Sequence, residues 1–208
     1  MKDIPRNYRA TAVNVLLFAL LGYGSVYRAY YAWIAEKFDL VEAVFFTHNL
    51  ILVVVILMRT MHVSINKNTF HQAVALIAFF SGMAFDERPT AQNPFLLGSS
   101  QVVTVTALIM GLGALFSLGR SFGILIAVRR VKTGGLYSIV RHPMYLTDIL
   151  WRLGFVLHNP SAYNLALFIG SSSAYVYRAL LEERFLVQFP DYREYMQRVK
   201  HRFIPGVF

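Results

Sequence analysis

The sequence contains no cysteine. That excludes disulfide scaffolds, thiolate zinc sites and thiol nucleophiles. Charge is scarce as well: Asp, Glu, Lys and Arg make up 15% of the 208 residues, against about 25% in a soluble domain. Acidic residues are the rarer sign, 11 against 20 Lys and Arg, for a net charge of +9. What is abundant is apolar: 56% of residues are hydrophobic and mean hydropathy is +0.48. This composition points to a polytopic membrane protein. The polar start MKDIPRNYRA leads into an apolar run without a small-residue cleavage site, so that run reads as a retained span, not a signal peptide.

The basic excess is lopsided. Residues 1–119 hold 8 Lys and Arg against 6 Asp and Glu, whereas residues 120–208 hold 12 against 5. Excess base can signal nucleic acid, but here the bases flank apolar segments, as the positive-inside rule expects. A nucleic-acid partner is therefore not expected.

A span needs about 20 apolar residues. Candidates run from about Thr11 to Ile34, Val41 to Met58, Phe70 to Phe85 and Gln101 to Leu118. The first ends in Tyr27, Tyr30, Tyr31 and Trp33, rings that favour the membrane–water interface. In the fourth, Gly111, Gly113 and Ser117 permit close helix approach. A short apolar piece, Tyr145 to His158, has 14 residues and reaches about 21 Å, less than the hydrocarbon core. Asn159-Pro160-Ser161 turns it into a last span, about Ala162 to Leu181. Placing Lys/Arg-rich segments in the cytoplasm puts residues 1–10, 59–71, 119–144 and the amphipathic tail 182–208 inside. Loops 35–40, 86–98 and 159–161 fall outside or in the far leaflet. The expected fold is an all-α transmembrane bundle of about six segments. Residues 1–118 supply the N-terminal helices; residues 119–208 supply a basic loop, the short hairpin and the tail, integrated in one membrane domain.

Charges within apolar segments mark functional candidates. Asp148 and Arg152 are four apart and share a helix face, as do Arg178 and Glu182, with Glu183 adjacent. Mutual neutralisation near a helix end is the plain reading of the first pair. Between the fourth and fifth segments lies GGLYSIVRHPMYLTD, residues 134–148. Pro143 drives His142 out of helical geometry and suits a first helical turn. Arg141 and His142 then stand at a helix N-terminus, where free N–H groups attract anions. Tyr137 and Tyr145 offer rings for stacking or for covering a cation. Glu182 offers an acceptor to hydroxyl or ammonium groups. Such a set suits a cationic nucleoside bearing a carboxylate and a diol, as S-adenosylmethionine does.

The run Leu118-Gly-Arg-Ser-Phe-Gly, the RHPMY of residues 141–145, the EERFL of 182–186 and YREYMQRV of 192–199 resemble the isoprenylcysteine carboxyl methyltransferase family and its phospholipid methyltransferase relatives. The resemblance covers about residues 112–205. It implies an integral membrane enzyme that moves a methyl group from S-adenosylmethionine to a lipophilic small-molecule or lipidated acceptor, such as an isoprenylcysteine carboxylate. Carried over by position, Tyr137, His142, Pro143, Met144, Tyr145 and Glu182 line the cofactor pocket, with Arg129 and Lys132 on the incoming loop. Arg178 faces the substrate, with Arg141 as a second substrate contact; Arg178 and Glu182 are the catalytic candidates. The family carries Gly two residues after the motif tyrosine; this chain has Thr147. The alternative activity is an NADPH-dependent reductase of the sterol type, for which Arg129, Arg130 and Lys132 would meet a 2′-phosphate. His48, beside Asn49, is expected to hydrogen-bond between helices, and no metal site is expected.

Overall fold

The computed structural model describes residues 40–58, 62–86 and 93–207, with scattered helical positions between 19 and 34. The expected first span, 11–34, therefore lies largely outside the described residues. Helix α1 (Leu40–Met58) is apolar apart from Glu42 and the run Thr47-His48-Asn49. Helix α2 (Thr69–Phe80) starts where the Asn68 side chain accepts hydrogen bonds from the backbone N–H groups of Phe70 and His71, satisfying two orphan donors of the first turn. It closes in a tight turn over Ser81–Ala84. Helix α3 (Pro94–Leu118) begins seven residues before the expected Gln101. The expected loop 86–98 thus already contains a helix start, at Asn93-Pro94. Asn93 caps the N–H of Phe95, and Pro94 takes the first helical position, where a missing N–H is harmless.

The short strands β1 (Ser64–Ile65) and β2 (Ala127–Val128) pair antiparallel, Ser64 opposite Val128. They tie the basic loop to the chain between α1 and α2. Helix α4 (Pro143–His158) and helix α5 (Ala162–Leu186) form the expected hairpin. The last helix does not stop at Leu181 but runs five residues further, so Glu182 and Glu183 ride on α5 and do not belong to the tail. The amphipathic tail helix is α6, Pro190–Arg198.

Among the described residues, one segment is long and apolar enough to cross a membrane by itself: Pro94–Ser121, 28 residues. The fold is thus helical with one candidate span, a coarser result than the six-segment bundle expected. The reason is physical. Helix α2 contains 12 residues and α4 only 16, and the C-terminal part of α5 carries Arg178, Glu182 and Glu183.

Helices α3 and α4 pack along each other, and at Gly154 they approach closely. The Ser100 hydroxyl donates to the Gly154 carbonyl at 2.9 Å, and a Cβ at Gly154 would stand 2.1 Å from Thr104 Oγ1. Asp148 and Arg152 do not form an isolated pair at a wet helix end. Arg152 is 1% exposed, and Asp148 Oδ1 is 3.9 Å away. Its guanidinium donates to the carbonyls of Asp148 (2.9 Å) and Ala78 (3.1 Å) and lies 4.8 Å from the Tyr175 ring centre. At the opposite end of the hairpin, Asn164 is fully buried. It accepts from the Asp86 N–H at 3.0 Å and donates to the carbonyls of Asp86 and Asn159.

Replacing Gly154 by Val should lower the melting temperature of the detergent-solubilised protein, consistent with an overpacking cost of about 1–3 kcal/mol. Adding Thr104→Ala should recover part of the loss; no recovery would mean that the contact does not limit helix approach.

Candidate active site

The basic loop has little regular structure, so side chains hold its backbone. Gln72 on α2 substitutes for a neighbouring strand. Its amide donates to the Ile126 carbonyl at 3.0 Å and accepts from the Ile126 N–H at 3.0 Å. The chain then turns at Gly135, where φ is +60° and a Cβ would sit 2.2 Å from Ser117 Oγ. Both conformation and space require glycine there. The following turn, Gly135–Ser138, buries Tyr137, whose carbonyl accepts from the Tyr195 hydroxyl at 2.7 Å.

Pro143 is the first residue of α4, and His142 before it takes φ −125°, ψ 54°, outside the helical region, as the sequence implied. Here the tail closes on the motif. The N–H groups of Arg141 and His142 donate to the carbonyls of His201 and Arg202, each at 2.9 Å. Glu183 fastens the same junction. Its Oε1 accepts from Arg141 Nε at 2.8 Å and from His142 Nε2 at 3.1 Å, and its Oε2 from Arg202 Nε at 2.9 Å. A carboxylate only accepts, so the imidazole nitrogen facing it is the protonated one. Glu183 lies beyond the apolar stretch 162–181. Burial would raise its pKa, yet the hydrogen bonds from His142, Arg141 and Arg202 outweigh burial and hold it at about 2, below the ordinary 4.5.

The loop, α1, α4, α5 and α6 enclose a cavity. Arg129, Arg130 and Lys132 line it from the loop, Tyr137, His142, Met144 and Tyr145 from the motif, and Arg178 and Glu182 from α5. The structure thus brings together nearly every residue singled out in the sequence. Pro143 differs: it is fully buried and absent from the wall, and its part is to set the helix start. Arg141 reaches the wall, with its Nε donating to Glu183 and its Nη1 to the carbonyls of Val199 (2.8 Å) and Lys200 (2.6 Å).

Within the cavity, three groups form one stack. The Tyr145 ring lies nearly parallel to His142, with centres 5.2 Å apart, and the Arg178 guanidinium lies over the same ring, 4.7 Å from its centre. The Tyr145 hydroxyl donates to Glu182 Oε2. Arg178 spends two of its N–H groups on the carbonyls of Ala75 (3.2 Å) and Ile124 (2.5 Å), while its Nε is buried without a partner. Tyr137 is buried, which raises its pKa, and the charge of Glu182 raises it further, so this phenol stays protonated.

Two features were not read from the sequence. His48 lies on the cavity wall. A Cβ at Gly111 would stand 3.1 Å from its Nε2, and among the described residues its imidazole makes no hydrogen bond. Tyr192 and Tyr195, three apart on α6, put the tail on the same wall; their spacing on one helix face was the available signal. Thr147 is accommodated by a small neighbour. Its hydroxyl donates back to the Met144 carbonyl at 2.8 Å, and the facing residue on α3 is Gly111, whose missing Cβ would stand 3.5 Å from Thr147 Oγ1. Among the described residues no group of three His, Asp or Glu side chains converges as metal ligands would.

This geometry can be set beside known proteins. Residues 91–190 match the family model for phospholipid methyltransferase. The chain is also similar to protein-S-isoprenylcysteine O-methyltransferase B of Arabidopsis thaliana, 33% identical over 136 residues, covering 61% of this chain and 64% of that one. Less than two thirds of that relative's length is thus spanned. Over the motif, α4 and α5 the chain thus resembles the isoprenylcysteine carboxyl methyltransferase-like proteins and their phospholipid methyltransferase relatives.

Glu183→Gln should destabilise the protein by about 3 kcal/mol, since two guanidinium groups lose a buried partner. The sign with pH follows from the lowered pKa. The stability from Glu183 is complete above about pH 4.5 and is lost as pH falls through about 2. Acid unfolding curves of the variant should therefore be flatter between these values; an unchanged acid limb would refute the role.

Proposed function

We propose that the chain is an integral membrane methyltransferase that binds S-adenosylmethionine in the cavity between loop, hairpin and tail and methylates a lipophilic acceptor. The observation that carries this reading is the convergence, in one cavity, of cationic, aromatic and carboxylate groups on the elements matched by a methyltransferase family. A soluble cofactor and a lipid substrate need a site reached from both phases. The motif stands where a basic loop meets the short hairpin. The multi-pass topology, with N-terminus, loop and tail in the cytoplasm, belongs to the same proposal.

The residues present suit the donor. Bound there, it would supply a methyl group on a sulfonium, whose displacement leaves a neutral thioether. Arg129, Arg130 and Lys132 attract a carboxylate from the loop side. The face of Tyr137 favours a cationic centre or an aromatic base. Glu182, fixed by the Tyr145 hydroxyl, accepts from hydroxyl or ammonium donors. On the acceptor side, Arg178 keeps its buried Nε–H without a partner, available to orient an acidic or carbonyl group. Leu52, Phe79, Phe122 and Met144 on the same wall keep water from the reacting groups. Methyl transfer of this kind needs alignment and dryness more than strong acid or base help.

The reductase alternative would use the loop cations for a phosphate, but both comparisons carry methyltransferase names, which favours the first activity. Calorimetric titration of the detergent-purified protein with S-adenosylhomocysteine and with NADPH separates the two. Saturable binding of S-adenosylhomocysteine is expected, weakened about 10-fold or more by Glu182→Ala, as for loss of a charged hydrogen bond. Binding of NADPH alone would move the chain to the reductases.

A further inference from the structure

The Tyr192 hydroxyl is buried without a hydrogen-bond partner. The residue is 5% exposed and lies on α6, nine and ten residues past the two glutamates. Buried polar groups are almost always paired, and an exception calls for a reason. Two facts supply one. Tyr192 lines the same cavity as Glu182 and Tyr145. Its helix neighbour Tyr195, with ring centre 5.7 Å away, lines the cavity too but is satisfied internally, through the Tyr137 carbonyl. Two phenols thus reach one wall from one helix turn: one locks the motif and the other has no internal function.

We propose that Tyr192 is a ligand-binding residue that completes the polar donor pocket with a hydrogen bond from the tail. The chemical partner is a hydroxyl or ring nitrogen of a nucleoside, since a phenol both donates and accepts and can pair with either. Burial, and then the charge of Glu183, raise the Tyr192 pKa, so the hydroxyl keeps its proton and its donor capacity. Tail closure then acquires a purpose beyond stability. The hydrogen bonds from Arg141 and His142 to His201 and Arg202, with the Glu183–Arg202 ion pair, hold α6 where Tyr192 meets the ligand. The inference rests on the donor-binding reading above.

The test uses the full-length protein in detergent and two readouts, calorimetric affinity for S-adenosylhomocysteine and melting temperature without ligand. Tyr192→Phe should weaken affinity about 3- to 10-fold, the size of one neutral hydrogen bond. Its ligand-free melting temperature should hold or rise, because the substitution removes an unpaired buried hydroxyl. Tyr195→Phe should lower the melting temperature, because it orphans the Tyr137 carbonyl. Wild-type binding with equal affinity in Tyr192→Phe would overturn this inference alone. A matching fall in melting temperature for both variants would overturn it by showing a structural role. Failure of the wild type to bind would overturn the donor reading and this inference together.

Discussion

A carboxylate removed from water costs several kcal/mol unless its oxygens are met by donors. Glu183 meets that condition with three: Arg141 and His142 from the motif and Arg202 from the tail. Those donors come from two separate stretches of chain and the carboxylate from a third, so one side chain fixes the motif, α5 and the tail relative to one another. The adjacent Glu182 is left for other work. Successive helical residues point about 100° apart, so a pair of glutamates in sequence cannot share a direction. One faces inward to the junction, the other onto the cavity wall beside Tyr145. Structural anchor and ligand acceptor are thereby separated by a single residue.

Arg152 and Arg178, also buried, follow a second rule. Both find acceptors on α2, Arg152 among the last carbonyls, which lack helical partners, and Arg178 one turn earlier. Arg178 reaches the Ala75 carbonyl from α5, and Arg152 reaches the Ala78 carbonyl from α4. Cations are favoured at this end of a helix. Helix α2 is held to the hairpin by charge in a region where apolar packing alone gives little direction. Arg178 also donates to the Ile124 carbonyl, so the same guanidinium positions the basic loop. Its stacking on Tyr145 then reads as a consequence of being anchored at two points.

How much of this was legible in the sequence depended on the kind of signal. The motif was legible because Pro143 constrains its neighbour by sterics alone, and the helix begins where the proline dictates. The α4–α5 hairpin was legible from Asn159-Pro160-Ser161 between apolar runs. Membrane crossing was less so: hydropathy marks apolar stretches, but length, turns and buried charges decide which can span independently, and only Pro94–Ser121 qualifies among the described residues. The start of α3 was misplaced because Asn-Pro marks a turn or a capped helix equally well. Glu183 and Tyr192 were hidden for another reason. Their partners lie in distant sequence, and no local pattern distinguishes a tyrosine that locks a carbonyl from one that faces a cavity.

The central claim is that the cavity joining loop, α5 and tail holds the methyl donor. Ultraviolet cross-linking of radiolabelled S-adenosylmethionine to the solubilised protein, followed by peptide mapping, tests it most directly. Label is expected on peptides spanning residues 129–145 and 182–195, and excess S-adenosylhomocysteine should remove it. Competed label confined to other parts of the chain would contradict the assignment of this cavity as the donor site.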